Sequence, residues 1–374
     1  MLENVSQLVE MQAPSLGADD QLLLVHPPAD EGLVLLVRRY PGQVSVMSWE
    51  ANVHDRATSA VGREHMHTAI EGEDFQRVPA LYTHVILYMT KAKERLDLTL
   101  ALLHDVLAKA QSIVLVGEKR SGVESAAKRL LKDRGWGVRK DLSARHSQWW
   151  QVSPKVHEKP AELSRFEQHF QFPMVTSSSG PDASPLKIST LPGVFSHGEL
   201  DAGTQLLLSV LQEACEQPPQ QILSILRRKG PAARALDFGC GSGVISLSLA
   251  RLAPAMKIDA LDIDALALLA TRRNCSLNQI PAGQIQTLLN DGLAGHTGRY
   301  SLIISNPPFH QGQKQDLSVT RQFLRDCQQH LSPTGELLIV ANRFLPYAEC
   351  LEGAFRRWSI LRENSRFRVY HAQM

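Results

Sequence analysis

The sequence lacks any hydrophobic run long enough to cross a bilayer. Its longer apolar stretches, such as residues 33–37 and 337–340, are far shorter than the roughly 20 residues that a transmembrane helix needs. The opening residues, MLENVSQLVEMQ, mix acids into the apolar positions and have no basic segment ahead of a continuous hydrophobic one, unlike a signal peptide. We therefore expect no membrane span and a location in the cytoplasm.

Cysteine pairs and a strong net charge are also missing. The chain has five cysteines, an odd number, and no two of them are spaced as C-x-x-C. This argues against a disulfide framework and a zinc site, so we expect reduced thiols and no metal. The formal net charge of +2 neither requires nor excludes a nucleic-acid partner. Nothing in the sequence determines the oligomeric state, and a monomer is favoured.

The length predicts more than one domain. At 374 residues the chain is longer than a single hydrophobic core usually organises, so two domains are expected. Residues 177–185, SSSGPDASP, are too rich in serine, glycine and proline to form a packed element. We predict a first domain at residues 1–176, a linker at 177–186 and a second domain at 187–374.

The second half alternates two kinds of segment. Strand-like runs at 235–238, 257–261, 300–304 and 336–340 alternate with helical stretches at 244–252, 265–277 and 319–330. This rhythm predicts an α/β fold with a mostly parallel sheet and helices on both faces. In such sheets ligands bind at the carboxyl ends of the strands.

The end of the first of these strands carries a glycine-rich turn. Residues 237–243 read DFGCGSG, with Gly239, Gly241 and Gly243 at a strand-to-helix junction, where backbone turns sharply or a ligand approaches closely. A tight turn for helix packing would need the same glycines. Asp262 follows Gly243 by nineteen residues, near the distance at which an acid binds a ribose. Asp264 is predicted to cap the next helix.

The pattern D-x-G-x-G-x-G differs from the dinucleotide pattern G-x-G-x-x-G. It resembles motif I of the class I S-adenosylmethionine-dependent methyltransferases. The resemblance implies a Rossmann-like fold and S-adenosyl-L-methionine as cofactor. By the same resemblance, Asp237 orients the amino acid moiety of the cofactor, Asp262 holds the ribose, and Asn290 and Asp291 face the adenine.

A second motif follows the strand at 300–304. Asn306, Pro307, Pro308 and Phe309 resemble the [N/D]-P-P-[F/Y] signature of methyltransferases that modify planar amino or amide nitrogens. Such a nitrogen is a poor nucleophile, and the Asn306 side-chain oxygen and the Pro307 carbonyl can bind its two N–H groups. Proline makes the loop rigid, and Phe309 offers a face for a planar base. An ordinary strand-ending turn is the alternative; guanine N2, adenine N6, cytosine N4 and protein glutamine all suit the motif.

Longer stretches narrow this choice. Residues 191–207, 306–310, 335–342, 366–370 and 116–123 resemble the ribosomal RNA small subunit methyltransferase C family. That resemblance implies methylation of the N2 of one guanine in 16S rRNA, within the small ribosomal subunit, with the base flipped out. A sister family acting on 23S rRNA shares V-F-S, N-P-P-F-H and V-A-N-R, whereas L-P-G-V-F-S and V-G-E-K-R-S-G-V favour the small-subunit family. The substrate-binding residues expected from the resemblance are Phe195, Phe309, Arg343, Arg366 and Arg368.

The first half aligns weakly with the second. Residues 84–91 align with residues 301–308, and residues 112–119 align with residues 336–343. This predicts a second, degenerate methyltransferase domain that has no D-x-G-x-G-x-G motif and carries Met-Thr-Lys at 89–91 in place of Asn-Pro-Pro. Residues 119–145 hold nine Lys/Arg against three Asp/Glu, which suits RNA binding or a solvated amphipathic helix. A non-catalytic RNA-binding scaffold built from two such domains is the alternative of a different class.

Overall fold

The computed structural model describes residues 2–90, 92–155, 161–173, 184–195, 198–216, 223, 226, 233–307 and 317–374. The chain divides into two compact units, Met1–Glu167 and Gln168–Met374. Each unit is built on a seven-stranded mixed sheet. In the described part of the chain, no helix is both long enough and apolar enough to cross a membrane.

The first unit places its main strands in the order β3-β2-β1-β6-β7-β9-β8. The strands from β3 to β7 run parallel, and β9 is antiparallel to both β7 and β8. Its elements are α1 Asn4–Gln12, β1 Leu22–Val25, α2 Glu31–Arg39, β2 Val44–Met47, α3 Ala51–Val61, β3 Met66–His67, β4 Ile70–Glu71, β5 Asp74–Phe75, β6 His84–Tyr88, α4 Lys93–Leu102, α5 His104–Lys109, β7 Ser112–Glu118, α6 Val123–Arg134, β8 Gly137–Ala144 and β9 Ser147–Ser153.

The second unit has its main strands in the order β14-β13-β12-β15-β16-β18-β17. The five strands from β14 to β16 run parallel, and β18 is antiparallel to its two neighbours. Its elements are β10 Gln168–Phe172, β11 Leu186–Thr190, α7 Ala202–Glu216, β12 Arg234–Phe238, α8 Val244–Leu252, β13 Lys257–Asp262, α9 Ala265–Leu277, β14 Ile285–Leu289, β15 Tyr300–Ser305, α10 Leu317–His330, β16 Leu331–Asn342, α11 Tyr347–Glu352, β17 Arg357–Glu363 and β18 Phe367–Gln373.

The predicted elements of the second half are confirmed. Helices α8 and α9 begin and end at the predicted residues, and each predicted strand lies within an observed one. The central strands read as short continuous apolar runs because helices cover the sheet on both faces and bury both sets of side chains. The mostly parallel α/β sheet is therefore the observed fold.

The two sheets share one topology, which confirms the tandem arrangement. Strands β6 and β15 are both fourth in their sheets, and β7 and β16 are both fifth. The internal alignment matches the correct strands but is one residue off in register. His84 pairs with Ser112, whereas Glu336 pairs with Leu302 instead of Ser301, because the β15–β16 pairing shifts between Tyr300 and Leu302.

The division between the units falls earlier than the predicted end of the first domain at residue 176. Strand β10, at residues 168–172, pairs antiparallel with β11, at 186–190, and so belongs to the second unit. Of the predicted linker, residues 177–183 lie outside the described residues. The sequence of 168–172 gives no sign of this pairing, because its partner strand follows the linker.

Candidate functional site

A cavity of about 820 Å³ lies at the carboxyl ends of β12, β13 and β15, where the parallel sheet was expected to hold its ligand. Its wall is apolar on the side of Phe238, Leu261 and Leu293. Eight predicted site residues line it: Phe195, Gly239, Gly241, Asp262, Asn290, Asp291, Asn306 and Pro307. Among the described residues, no group of three or more His, Cys, Asp or Glu side chains is placed to hold a metal ion.

The glycine loop depends on backbone that other residues rarely adopt. Gly239, Gly241 and Gly243 have φ of 71°, 55° and 79°. Gly239 and Gly241 line the cavity, but Gly243 does not. A Cβ at Gly243 would lie 2.8 Å from the Thr271 side chain, so this glycine allows α8 and α9 to pack closely. Gly243 therefore serves helix packing, one of the two uses weighed from the sequence, and ligand approach at Gly239 and Gly241 stays a prediction.

Asp262 is the acid in the cavity wall. Its Oδ2 accepts a hydrogen bond from the Gly241 backbone N–H at 2.9 Å, and its Oδ1 accepts one from the Asp264 N–H at 3.0 Å. Burial raises the pKa of the Asp262 carboxyl to about 6. Each oxygen keeps a further lone pair, so the carboxylate can still accept from two hydroxyls. Asp264 caps α9 by accepting from the Leu266 N–H at 3.0 Å, as predicted.

Asp237 is placed differently from the other motif residues. It is fully buried and is not part of the cavity wall. Its Oδ2 accepts from both the Ser246 backbone N–H at 2.9 Å and the Ser246 hydroxyl at 2.6 Å, while its Oδ1 has no partner among the described residues. Burial raises the pKa of Asp237 to about 7. The residue therefore holds the first turn of α8, and the cofactor contact assigned to it stays a prediction.

The pair after β14 forms one rim of the cavity. The Asn290 side-chain amide donates to the Gly292 carbonyl at 3.0 Å and to the Ala294 carbonyl at 3.1 Å, which holds the turn after β14 in shape. Its backbone N–H donates to the Asp262 carbonyl at 3.1 Å. Asp291 is exposed beside it. Both residues can face an adenine, and this role stays a prediction.

Asn306 stands directly after β15, and its amide group has two partners, one directly before α7 and one in its first turn. Its Nδ2 donates to Asp201 Oδ2 at 2.9 Å and to Thr204 Oγ1 at 2.9 Å. Pro307 follows it in the wall. Pro308, Phe309 and His310 lie outside the described residues. Sequence reasoning missed Asp201 and Thr204, although both belong to the L-D-A-G-T stretch that carried the family resemblance.

The residues expected to bind substrate lie in two places. Phe195 lines the cavity and is 51% exposed. Arg343 and Arg366 are exposed and adjacent, because the Arg343 backbone N–H donates to the Arg366 carbonyl at 2.8 Å. Arg368 pairs with Glu363 at 2.7 Å. None of these three arginines lines the cavity.

Phe344 is an exposed aromatic that sequence reasoning missed. It follows Arg343, after the end of β16, and is 79% exposed. The Asn342 side chain holds its backbone by accepting from the Phe344 N–H at 3.1 Å. The sequence did offer a signal, because Phe344 follows Arg343 shortly after a predicted strand.

The first unit has side chains where the second has its glycine loop. His26 corresponds to Gly239, because its N–H donates to the Met47 carbonyl as that of Gly239 donates to Leu261. His26 also has a positive φ, 54°. Its ring lies 4.4 Å from the ring of Trp49, which is only 1% exposed, and burial lowers the pKa of His26 to about 3. Packed rings therefore occupy this edge of the first sheet.

Two family models match the chain. The Methyltransferase small domain model covers residues 185–371, and the Methyltransferase small domain N-terminal model covers residues 6–170. A protein named Ribosomal RNA small subunit methyltransferase C from Hahella chejuensis is 40% identical over 371 residues, which is 99% of this chain and 98% of the relative. A protein of the same name from Acinetobacter baylyi is 34% identical and covers 94% of each chain.

A solved structure is similar to the whole chain. The T. thermophilus 16S rRNA N2 methyltransferase RsmC, in complex with AdoMet and guanosine, superposes with a TM-score of 0.77 at 22% identity. The match covers 99% of this chain and 92% of that protein. Both units therefore have the fold of that protein.

Proposed function

The chain belongs to the ribosomal RNA small subunit methyltransferase C family, and we propose that it transfers a methyl group from S-adenosylmethionine to the exocyclic N2 of one guanine in 16S rRNA. It is an S-adenosylmethionine-dependent methyltransferase by that membership. The observation that carries the proposal is that Asn306 and Pro307 share one cavity wall with Asp262 and the glycine loop.

The described residues fit this cofactor. Asp262 can accept from two ribose hydroxyls, Ile263 and Leu293 offer apolar surface to an adenine, and the glycine loop leaves room for close approach. The cavity volume of about 820 Å³ lies within the range of cofactor sites. When bound, the cofactor supplies an electrophilic methyl group on a sulfonium.

The Asn-Pro-Pro loop orients the acceptor nitrogen. The lone pair of guanine N2 is delocalised into the ring, so the nitrogen attacks poorly unless it is held in place. Asn306 Oδ1 and the Pro307 carbonyl accept its two N–H groups and direct the lone pair at the methyl carbon. With the cofactor bound, its methyl carbon would be the electrophile for this lone pair, and the sulfonium sulfur would leave as a neutral thioether that keeps the C–S electron pair. The nitrogen then loses one proton to water.

We propose RNA contacts both inside the cavity and on the surface outside it. The target base must leave its helix, and Phe195 and Phe309 are the aromatics proposed to stack against it. Outside the cavity, Arg343, Arg366 and Phe344 form an exposed basic and aromatic surface on the second unit, suited to phosphates and an unstacked base. We propose that Arg368 also contributes positive charge to this surface.

The first unit contributes less positive charge than its sequence indicates. Within 119–145, four basic residues pair with carboxylates: Lys128 with Glu124, Arg129 and Arg134 with Asp97, and Arg139 with Asp141. The packed rings of His26 and Trp49 support the proposal that this unit does not bind cofactor. We assign it to RNA binding or to support of the second unit.

Methyl transfer to separate substrates tests the function. Labelled S-adenosylmethionine is offered with unmodified small subunits, large subunits, naked 16S rRNA or DNA, and with Asn306→Ala as the inactive control. We expect label in small-subunit RNA. Label in large subunits would instead indicate a 23S rRNA enzyme, and no label in any substrate would indicate a scaffold.

A further inference from the structure

Asn306 is held by two side chains of the segment that opens α7. Its Nδ2 donates to Asp201 Oδ2 and to Thr204 Oγ1, both at 2.9 Å. We propose that Asp201 and Thr204 are positioning residues, which fix the direction in which Asn306 presents its oxygen to the acceptor nitrogen. This inference rests on the proposed function.

An asparagine amide can be placed in two orientations. The oxygen and nitrogen of an asparagine side chain have nearly the same size, so a rotation of the amide group exchanges an acceptor for a donor. A carboxylate can only accept. With Asp201 Oδ2 at 2.9 Å, the rotated amide would face this carboxylate with its own oxygen, at a repulsive distance. Asp201 therefore selects the orientation in which Nδ2 faces α7.

That selection determines what the substrate meets. Both N–H groups of Asn306 are used on α7, so Oδ1 is the group left for the cavity, which Asn306 lines. An acceptor is what the N–H groups of an exocyclic amine require. A rotated Asn306 would present N–H groups to N–H groups and could not hold the nitrogen.

The Asp201 carboxylate also makes the Asn306 oxygen a stronger hydrogen-bond acceptor. An amide that donates to a charged acceptor becomes more polarised, and its oxygen becomes a better hydrogen-bond acceptor. A better acceptor matters most as positive charge develops on the attacking nitrogen. The second partner, Thr204, is only 7% exposed, so water competes little for the hydroxyl that accepts from Asn306.

A purely structural role for Asp201 must be separated from this one. Its Oδ2 also accepts from the Thr204 backbone N–H at 2.9 Å, as a helix cap does, and caps stabilise helices without any part in catalysis. Asp201→Ser keeps a capping oxygen, but the shorter side chain cannot reach Asn306. Thr204→Val removes the hydroxyl and keeps the shape, whereas Thr204→Ser keeps the hydroxyl.

The experiment measures kcat and KM on small subunits, cofactor affinity by calorimetry, and melting temperature for these three variants. We expect Thr204→Val and Asp201→Ser to lower kcat by roughly 10- to 100-fold, the scale of a misaligned reacting group. Cofactor affinity and melting temperature should stay at the wild-type values. Thr204→Ser should restore most of kcat.

Three results would overturn the inference. These are wild-type kcat in Thr204→Val and Asp201→Ser, equal losses in Thr204→Ser and Thr204→Val, or a fall in cofactor affinity as large as the fall in kcat. If the wild-type enzyme itself transfers no methyl to small subunits, the proposed function fails first. An active wild type with fully active variants would refute the positioning role alone.

Discussion

The Gly241 backbone N–H donates to Asp262 Oδ2 at 2.9 Å, across 21 residues of sequence. This bond joins the glycine loop after β12 to the acid at the end of β13, so the two halves of the predicted cofactor motif form one structural unit. The carboxylate that is proposed to accept from the ribose also holds the loop that surrounds the cofactor. Changes in its charge are therefore expected to alter cofactor binding.

Cofactor affinity should fall in mild acid. Burial raises the pKa of Asp262 to about 6, so its carboxylate takes a proton as pH falls through that value and loses an acceptor for the ribose. At pH 5 affinity should be roughly tenfold weaker than at pH 7, because one pH unit changes the proton ratio tenfold. Cofactor affinity measured by calorimetry between pH 5 and pH 7 tests this prediction.

Asp262→Asn is the matched variant, because it keeps the shape and cannot titrate. Asp262→Asn should bind the cofactor weakly, and its cofactor affinity should change less with pH. The part of the slope that disappears in Asp262→Asn is the part that belongs to Asp262. A wild-type affinity that does not change between pH 5 and 8 would contradict the role given to Asp262.

Asp237 should make the protein less stable as pH rises. Its pKa is raised by burial to about 7, far above that of an unfolded aspartate, so the folded state holds a proton that the unfolded state releases. This contribution is fully present below about pH 4 and is lost as pH rises through about 7, with a slope of up to about 1.4 kcal/mol per pH unit. Denaturant unfolding at several pH values measures it. Asp237→Asn should flatten the slope, and identical slopes in the two proteins would be evidence against the buried proton.

Asn306→Ala should separate catalysis from cofactor binding. Removing the acceptor leaves the target nitrogen unheld, and kcat should fall by about 100-fold or more, as for other preorganised groups at a reacting centre. Cofactor affinity should be retained. Asn278→Ala removes a half-buried asparagine outside the cavity wall that bonds to the Lys187 backbone, and should leave kcat unchanged. Loss of cofactor affinity in Asn306→Ala equal to its loss of kcat would refute the assignment.

Phe344 should act on RNA binding alone. Phe344→Ala removes an exposed ring, and KM for the RNA substrate should rise by roughly 5- to 100-fold, the scale of one lost base–aromatic stack. Cofactor affinity should not change, and Phe344→Tyr, which keeps a stacking face, should behave as wild type. If alanine and tyrosine variants both keep the wild-type KM, Phe344 takes no part in RNA binding.

The chain should bind one cofactor molecule. Among the described residues of the first unit, the rings of His26 and Trp49 fill the edge of the sheet that corresponds to the glycine loop. The stoichiometry from calorimetry should be one, and Asp262→Ala should remove most of the heat. A stoichiometry of two would show that the first unit binds as well.

The parts of the site that sequence could predict are those fixed by local backbone and sheet topology. Gly239, Gly241, Asp262 and Asn306 lie at the carboxyl ends of strands that run parallel, so their convergence at one edge follows from the order of the elements. Helices α8 and α9 were predicted to the residue because glycine or aspartate precedes each one.

The parts that sequence could not predict depend on contacts between distant residues. The Asn306–Asp201 bond joins positions 105 apart, and neither side chain reveals the other. Asp237 sits in the predicted motif, yet its bonds to Ser246 direct it toward α8 instead of the cavity. Strand β10 was missed as part of the second unit because its partner follows a segment without regular pattern.

Nucleoside analysis of small-subunit RNA tests the central claim most directly. Unmodified small subunits are incubated with S-adenosylmethionine and either the wild-type enzyme or Asn306→Ala, and the digested RNA is resolved into its methylated nucleosides. We expect N2-methylguanosine with the wild type and almost none with Asn306→Ala. A different methylated nucleoside from the wild type, or equal N2-methylguanosine from both proteins, would contradict it.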